Sequence, residues 1–421
     1  MELELLYQKY KECNFEVSTD TRSVKEGSLF FALSGANFNG NNFILKALGD
    51  GCKYAVCDDG SVEGDNVINV GCSLLALQQL ANYHRSKFEI PVLGITGSNG
   101  KTTTKELLAE VLMKKYNLLY TSGNLNNHIG VPLTLLGLRE GHNFALIEMG
   151  ANKPGDIKEL CEIAVPTHGM ITNIGTAHIE GFGSKEGVVK TKSEMYNFVI
   201  HNQGVLFINN NEKYLKPLLN NYSKTIEFGG DGINFKIDSS KYELELDING
   251  TEIRSKLFGQ YNANNILTAY VVGKYFEIEE KLIVEAIESY KPNNNRSQIK
   301  ITSKENHLIL DAYNANPSSL NLAIEELLSK EGEKLFIVGD MRELGHVSEE
   351  EHKKIIDKLI NSNSRAILVG EEFKKYNYSD FLAFTNVYEL IKSGVLENLN
   401  GIQILVKGSR GVQLEKLEPF L

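Results

Sequence analysis

The sequence contains no apolar run approaching the roughly 20 residues that a membrane-spanning helix needs. Residues 1–12 carry too many charges for a signal peptide. The five cysteines are odd in number and contain no CxxC pair, which is typical of buried thiols in a reducing compartment rather than of disulfides or a zinc site. We therefore expect a soluble, cytoplasmic protein without membrane insertion.

An excess of basic charge is also absent, because 44 Lys and Arg stand against 54 Asp and Glu, for a formal net charge of −10. Nucleic-acid affinity rests on clustered Lys and Arg, so we expect no nucleic-acid partner, although a local phosphate site remains compatible with this balance. Hydrophobic residues make up 42% of the chain and charged residues 23%, which argues against disorder. The length of 421 residues suits two or three domains.

Three stretches differ in their pattern, and they give predicted domains 1–88, 89–292 and 293–421. The first mixes short strand-like runs with Gly and Asn turns. The other two alternate apolar runs with helical stretches, which predicts doubly wound, largely parallel sheets. The predicted strands are 28–33, 54–57, 66–70, 92–96, 144–147, 169–174, 205–208, 308–310, 335–338, 366–369 and 402–406, with a hairpin of 242–248 and 251–257. Asn249-Gly250 predicts a type I′ turn for that hairpin, and Asn316-Pro317 predicts a helix start.

The strongest local signal is the glycine-rich segment 94–103, which follows a predicted strand and begins a predicted helix. Such a loop turns backbone N–H groups toward an anion, and the helix dipole favours negative charge there. Lys101 is then expected at the β- and γ-phosphates of a nucleotide and Thr102 at Mg²⁺. The GxxxxGK[ST] spacing is not met, because Ile95 occupies the first glycine position. A glycine-rich structural turn is the alternative.

Glu148 follows the predicted strand 144–147. A carboxylate at this end of a parallel sheet is a candidate magnesium ligand, although an acid at a strand end is also common as a purely structural residue.

Residues 96–103, TGSNGKTT, resemble the TGxNGKT signature of the Mur ligases, the ATP-dependent amide-forming enzymes of peptidoglycan precursor synthesis. The resemblance runs through nearly the whole chain. The further matching segments are 124–132, 148–152, 172–178, 295–296, 311–317, 339–345 and 407–410, together with Asn262 and Asn265. The resemblance implies an α/β fold of three domains: a small mixed α/β N-terminal domain that binds a UDP-sugar, a central P-loop-type ATPase domain with a doubly wound parallel sheet, and a Rossmann-like C-terminal domain.

The segments DAYNANP at 311–317 and GDMRELG at 339–345 resemble the branch of the family that joins D-alanyl-D-alanine to UDP-N-acetylmuramoyl-tripeptide through an acyl phosphate. This implies small-molecule substrates, ATP, two Mg²⁺ ions, and a role in cell-wall synthesis, cell shape and cell division; we expect a monomer. Two alternatives stay open. One is another amide ligase of the superfamily, such as a third-residue-adding enzyme or a folylpolyglutamate synthase relative. The other is a non-catalytic nucleotide-binding regulator.

The resemblance also implies roles for individual residues. The implied nucleotide contacts are Gly97, Ser98, Asn99, Gly100, Lys101, Thr102, Thr103, Asn265 (with Asn262 as its alternative), Arg296 and Asp311. The implied magnesium ligands are Thr102, Glu148, His178 and Lys192, the last as a carbamate formed with CO₂. Lys190 is the alternative lysine, since residues two apart on a helix face nearly opposite sides.

Four residues are implied to be catalytic: Lys101, Glu148, His178 and Lys192. The implied substrate contacts are Thr21, Arg22, Asn127, Asn314 and Asn316. Thr21 departs from the serine that is usual in the family turn.

Overall fold

The computed structural model describes residues 2–35, 37–175, 179–230, 235–238, 242–375 and 380–421, with the backbone alone at 179 and 235–238. The architecture is α/β with mainly parallel sheets, which confirms the predicted fold class. The helices are Leu3–Glu12, Ile44–Gly49, Ser73–Arg85, Lys101–Leu112, Gly130–Leu135, Asp156–Ala164, Ile179–Phe182, Lys185–His201, Ala263–Tyr275, Glu280–Ser289, Pro317–Leu328, Ser348–Asn361, Glu371–Lys375 and Val387–Lys392. Over these described ranges, no helix has the length and apolar character to cross a membrane.

The N-terminal sheet has four parallel strands, in the spatial order Val17–Ser18, Leu29–Phe31, Tyr54–Cys57 and Val67–Asn69. A short hairpin pairs Ser34–Gly35 with Phe38–Asn39. Helix Ser73–Arg85 packs against helices Gly130–Leu135 and Asp156–Ala164 of the following sheet. Asn82 Nδ2 donates to Glu162 O (2.9 Å) and Arg85 Nε donates to Ala164 O (3.2 Å). The N-terminal sheet is thereby fixed to the central part of the molecule.

The central sheet has six strands, all parallel, in the spatial order Thr225–Phe228, Val205–Asn209, His168–Ile171, Val92–Thr96, Phe144–Glu148 and Leu118–Tyr120. The chain leaves strand Val92–Thr96 toward one edge and later returns to build the other edge. The carboxyl end of that strand is therefore a topological switch point, where sheets of this type bind ligands.

An antiparallel sheet of Phe235–Asp238, Glu243–Ile248 and Thr251–Phe258 follows the central sheet in sequence. Its turn has positive φ at both Asn249 (53°) and Gly250 (89°), which confirms the predicted type I′ hairpin.

The C-terminal sheet has the spatial order Gln298–Ile301, His307–Asp311, Gln403–Lys407, Lys334–Gly339, Arg365–Val369 and Leu382–Phe384. All pairs are parallel except the first. The Rossmann-like pattern is confirmed. Strand Gln403–Lys407, which is last in sequence, lies between His307–Asp311 and Lys334–Gly339. Asn316 caps helix Pro317–Leu328 as predicted: its Oδ1 accepts from the Ser319 backbone N–H at 2.9 Å.

The edge strands of the central and C-terminal sheets were not predicted: Leu118–Tyr120, Thr225–Phe228, Gln298–Ile301 and Leu382–Phe384. Each is only partly buried. Thr225–Phe228 and Gln298–Ile301 mix polar with apolar residues, and the other two are only three residues long, so none has the longer apolar run that marks a central strand. The predicted strand 169–174 ends earlier, at Ile171. The chain leaves the sheet there because Thr172 and Asn173 turn toward the glycine-rich loop, where Thr172 Oγ1 donates to Asn99 O at 2.6 Å.

Candidate active site

The glycine-rich loop joins strand Val92–Thr96 to helix Lys101–Leu112. Gly97 has φ 147° and Gly100 has φ 78°, in the region that favours glycine. A Cβ at Gly97 would also lie 1.9 Å from Thr172 Oγ1, so no other residue fits. The loop thus presents a helix N-terminus at the switch point, which is the arrangement that binds phosphate.

Lys101 is the first residue of that helix, and its Nζ folds back onto the loop. It donates to Gly97 O at 2.7 Å and to Ser98 O at 3.3 Å. Burial lowers the pKa of Lys101, Glu148 opposes this shift, and Arg296 adds to it. The Lys101 ammonium group therefore has only two backbone carbonyl oxygens as partners among the described residues. A bound phosphate would give it a negatively charged partner instead.

Glu148 ends the strand next to the loop, in register with Ile95, and its side chain is buried. Its Oε1 accepts from Thr102 Oγ1 (3.2 Å) and from Asn126 Nδ2 (2.7 Å). Its Oε2 is buried and has no hydrogen-bond partner among the residues that the structure describes. A buried carboxylate oxygen without a partner is costly, and carboxylate and hydroxyl oxygens are the ligands that Mg²⁺ prefers. The pair Thr102 and Glu148 therefore fits a magnesium ion.

Lys192 lies on helix Lys185–His201 and is 1% exposed. Burial, with a smaller contribution from Lys101, holds the pKa of Lys192 well below its ordinary value. The neighbouring candidate Lys190 is exposed. A buried lysine that favours its neutral form is the species that can react with CO₂, so the environment of Lys192 fits the carbamate.

From the C-terminal sheet, Asp311 and Lys407 face each other in register on adjacent strands. Lys407 Nζ donates to Asp311 Oδ2 at 2.5 Å and to Asn314 O at 3.2 Å. The Arg296 guanidinium lies 3.8 Å from the centroid of the Tyr313 ring, a cation–π contact. The carboxyl ends of strands His307–Asp311 and Gln403–Lys407 therefore present the Asp311 carboxylate and the Lys407 ammonium group side by side.

Two asparagines at the start of helix Ala263–Tyr275 lie next to the glycine-rich loop. Asn265 Oδ1 accepts from Thr104 Oγ1 at 3.0 Å, and its Nδ2 donates to Asn262 Oδ1 at 2.8 Å. Asn262 Nδ2 donates in turn to Phe258 O at 2.7 Å. The same Asn265 oxygen lies 2.7 Å from the position that a Cβ on Gly100 would occupy, so Asn265 is packed directly against the loop.

Family profiles match two parts of the chain: the Mur ligase middle domain at residues 95–273, and the Mur ligase, glutamate ligase domain at residues 295–410. The UDP-N-acetylmuramoyl-tripeptide–D-alanyl-D-alanine ligase of Bacillus subtilis (strain 168) is 35% identical over 425 residues, which cover 95% of this chain and 92% of that protein. The chain belongs to the Mur ligase family.

Solved structures resemble this Mur ligase over almost its full length. A MurF ligase of Thermotoga maritima in complex with ADP aligns with a TM-score of 0.86 at 27% identity, covering 96% of each chain. A MurF of Acinetobacter baumannii aligns with a TM-score of 0.86 at 29% identity, covering 96% of this chain and 92% of that one.

In this Mur ligase, most of the predicted site residues line one cavity of about 740 Å³ between the central and C-terminal sheets. Those that line it are Ser98, Asn99, Gly100, Lys101, Thr102, Thr103, Asn127, Glu148, Asn265, Arg296, Asp311, Asn314 and Asn316. Gly97 and Lys192 are not among the lining residues, and His178 lies outside the described residues.

The predicted UDP-sugar contacts Thr21 and Arg22 do not line the cavity. They form a short turn capped by Asp20, whose carboxylate accepts from the Arg22 backbone N–H at 2.9 Å. The Arg22 guanidinium also pairs with Asp20, at 2.5 Å, and holds the pKa of that carboxyl at about 2. The structure therefore gives Arg22 a local partner, Asp20, and places neither Thr21 nor Arg22 at the cavity.

Several residues that line the cavity were not predicted, among them Asn126, Tyr313, Ser318 and Lys407. Asn126, rather than its neighbour Asn127, reaches Glu148, while the Asn127 side chain accepts from the backbone N–H groups of Ile129 (3.1 Å) and Gly130 (2.8 Å). The segments that hold Asn126, Tyr313 and Lys407 were recognised, but which side chain points inward depends on local turns. Nothing in the sequence singles out Ser318.

Proposed function

We propose that this chain is an ATP-dependent ligase that joins D-alanyl-D-alanine to UDP-N-acetylmuramoyl-tripeptide, with release of ADP and phosphate. The observation that carries the proposal is the cavity itself. It brings a phosphate loop, a buried Glu148 oxygen that no other described residue engages, and Arg296 with Asp311 from the other sheet to one place. The near full-length similarity to ligases of that name supports the choice of substrates.

Amide formation from a carboxylate near pH 7 needs a better leaving group than hydroxide. In the proposed reaction a tripeptide carboxylate oxygen attacks the γ-phosphorus of ATP, and ADP leaves. The dipeptide amine, in its neutral form, then attacks the acyl carbon of the acyl phosphate; inorganic phosphate leaves and the nitrogen loses a proton. Both steps gather negative charge that fixed cations must offset.

We propose that Lys101 and Arg296 approach the transferring phosphoryl group from two sides, since Arg296 is close enough to contribute to the lowered pKa of Lys101. Thr102, Glu148 and the carbamate of Lys192 would hold Mg²⁺, with His178 as a further ligand. Bound Mg²⁺ supplies charge neutralisation and orientation of the phosphates. Glu148 keeps one oxygen committed to Thr102 and Asn126, so the other oxygen would be the one to bind the ion.

The remaining assignments are proposed on their positions along the cavity wall. Gly97, Ser98, Asn99, Gly100 and Thr103 are assigned to the phosphates. Asp311 is assigned to the ribose, Asn265 to the adenine, and Asn127, Asn314 and Asn316 to the peptide substrates. Thr21 and Arg22 stay candidates for the UDP-sugar, and 1–88, 89–292 and 293–421 stay the proposed domains. We further propose a cytoplasmic monomer that uses two magnesium ions.

The test is phosphate release from ATP with the UDP-linked tripeptide, with and without D-alanyl-D-alanine, followed by mass spectrometry of the product. We expect turnover to require both substrates and to yield the pentapeptide mass. The control supplies the UDP-linked dipeptide with free diaminopimelate or lysine. Turnover only in the control would make this chain a third-residue ligase, and nucleotide binding without turnover in either would favour the regulator.

A further inference from the structure

We propose that Asn99, Ser318 and Asn316 are positioning residues that hold the C-terminal domain closed over the nucleotide loop through a ring of three hydrogen bonds. Asn99 Nδ2 donates to Ser318 Oγ at 3.0 Å, and Ser318 Oγ donates to Asn316 Oδ1 at 2.9 Å. Asn316 Nδ2 donates back to Asn99 Oδ1 at 2.7 Å. We refer to these three side chains as the closure ring.

The ring joins parts of the chain more than two hundred residues apart. Asn99 belongs to the phosphate loop. Asn316 and Ser318 stand at the start of helix Pro317–Leu328, directly after the segment that carries Asp311 and Tyr313. When the ring is formed, that segment is therefore placed over the loop, and opening the domain must break both bonds that involve Asn99.

Helix capping alone does not account for these contacts. The cap uses Asn316 Oδ1, which accepts from the Ser319 backbone N–H at 2.9 Å, and Ser319 Oγ, which accepts from the Asn316 backbone N–H at 3.2 Å. Asn316 Nδ2 takes no part in the cap and is directed to Asn99. The Ser318 hydroxyl likewise adds nothing to the cap hydrogen bonds.

Asn99 is held firmly on its own side. Its backbone N–H donates to Asn173 Oδ1 at 2.9 Å, and its carbonyl accepts from Thr172 Oγ1 at 2.6 Å and from Asn173 Nδ2 at 2.9 Å. With the backbone fixed on both sides, the Asn99 side chain is left to face the C-terminal domain. Both halves of the ring are thus preorganised, which lowers the entropic cost of closing.

Gly175 leaves the space in which the ring forms. A Cβ at Gly175 would lie 3.0 Å from Asn99 Nδ2 and 3.1 Å from Ser318 Oγ, tighter than ordinary contact. A methyl group there would press on two members of the ring without removing any hydrogen-bonding group, which provides a second, independent way to disturb it.

The first experiment measures closure with a nucleotide alone, by small-angle X-ray scattering of the full chain with and without a non-hydrolysable ATP analogue and Mg²⁺. We expect the wild type to become more compact. Ser318→Ala loses two bonds of the ring and should shift the equilibrium roughly tenfold toward the open form, because each net hydrogen bond is worth a factor of about two to ten. Gly175→Ala should shift it in the same direction, and Ser318→Thr, which keeps the hydroxyl, should close as the wild type does.

Ser319→Ala is the matched control, one residue along the same helical turn. It removes a capping hydroxyl and should lower the unfolding temperature, yet close normally. If Ser318→Ala closes as the wild type does, or if both alanine variants fail to close equally, the ring has no positioning role.

The kinetic test rests on the proposed function. We expect Ser318→Ala to lower kcat about tenfold and to raise KM for D-alanyl-D-alanine, with little change in the affinity of the open chain for ATP. A wild type that closes on the nucleotide but makes no pentapeptide would reject the proposed substrates and leave the ring intact. A catalytically active wild type whose Ser318→Ala variant keeps its kcat and KM would reject the ring.

Discussion

Asn126 Nδ2 lies 2.7 Å from Glu148 Oε1 and, together with Thr102, commits that oxygen, while the buried Oε2 has no partner in the described part of the chain. The amide thereby decides which face of the carboxylate is available to a cation. A carboxylate that must also find its own orientation would bind a metal less tightly, as is general for ligands that lose their supporting hydrogen bonds.

Asn126→Ala should therefore raise the Mg²⁺ concentration needed for half-maximal turnover by about tenfold or more. Asn127→Ala is the neighbouring control: its lost bonds are to the start of helix Gly130–Leu135, so it should cost about 1 kcal/mol of stability and leave the Mg²⁺ requirement closer to that of the wild type. Initial rates across a Mg²⁺ titration, with thermal unfolding, separate the two effects. An unchanged Mg²⁺ requirement in Asn126→Ala would show that Glu148 needs no such support.

Lys192→Met should lower turnover by a factor of roughly 100 or more, because it removes the proposed carbamate ligand of Mg²⁺. It should not destabilise the fold. The reason is that Lys192 is buried and its pKa is held well below the ordinary value, so an apolar side chain of similar length removes a group that is costly to charge. Lys190→Met, at an exposed position, is the control and should stay active. Turnover of the wild type should fall when CO₂ is removed and recover with bicarbonate, and ¹³C-labelled CO₂ should give a carbamate NMR signal that Lys192→Met lacks. A fully active Lys192→Met would end the carbamate assignment.

The sequence was informative where burial is continuous and where a motif carries its own geometry. Strand Val92–Thr96 is buried at every position, and the loop after it needs glycine twice, so both could be recognised without a structure. Edge strands such as Gln298–Ile301 carry mixed patterns, and they were missed for that reason.

The limits are similar at the site. Asn126 and Asn127 are adjacent and identical in chemistry, and only the turn before helix Gly130–Leu135 decides which one faces Glu148. The pairing of Asn99 with Asn316 depends on how two sheets pack, which neither local sequence encodes. Such contacts need the tertiary structure.

His168 should make the fold sensitive to mild acid. Its ring packs among Phe207, Tyr275 and Phe276, and burial lowers the pKa of His168 from about 6.5 to about 4. Between these values the unfolded chain binds a proton that the folded chain does not, so the free energy of unfolding falls as the pH drops from about 6.5 to about 4. The full effect is about 3 kcal/mol.

The variant His168→Phe keeps the ring and removes the titration. Urea unfolding at several pH values from 7 to 4.5 should show a shallower loss of stability in this variant than in the wild type. His201→Gln, at an exposed helix end, should keep the wild-type slope. Parallel slopes for His168→Phe and the wild type would exclude a role for His168 in acid sensitivity.

The buried pair of Lys407 and Asp311 allows structure and substrate binding to be separated. Lys407 is 3% exposed and Asp311 is 8% exposed, and removing one charge leaves the other without its partner. Lys407→Met should therefore destabilise the fold by about 3 kcal/mol, and the double variant Lys407→Met/Asp311→Asn by clearly less, because no uncompensated charge is then left buried.

Nucleotide binding should respond differently from stability. If the Asp311 carboxylate contacts the ribose, the single variant Asp311→Asn and the double variant should both bind ATP more weakly than the wild type. The double variant should regain stability without regaining ATP affinity. Denaturant unfolding of all four proteins gives the coupling free energy, and calorimetric titration with ATP gives the binding. ATP affinity that follows stability across the four proteins would make Asp311 a structural partner of Lys407 and remove it from the nucleotide site.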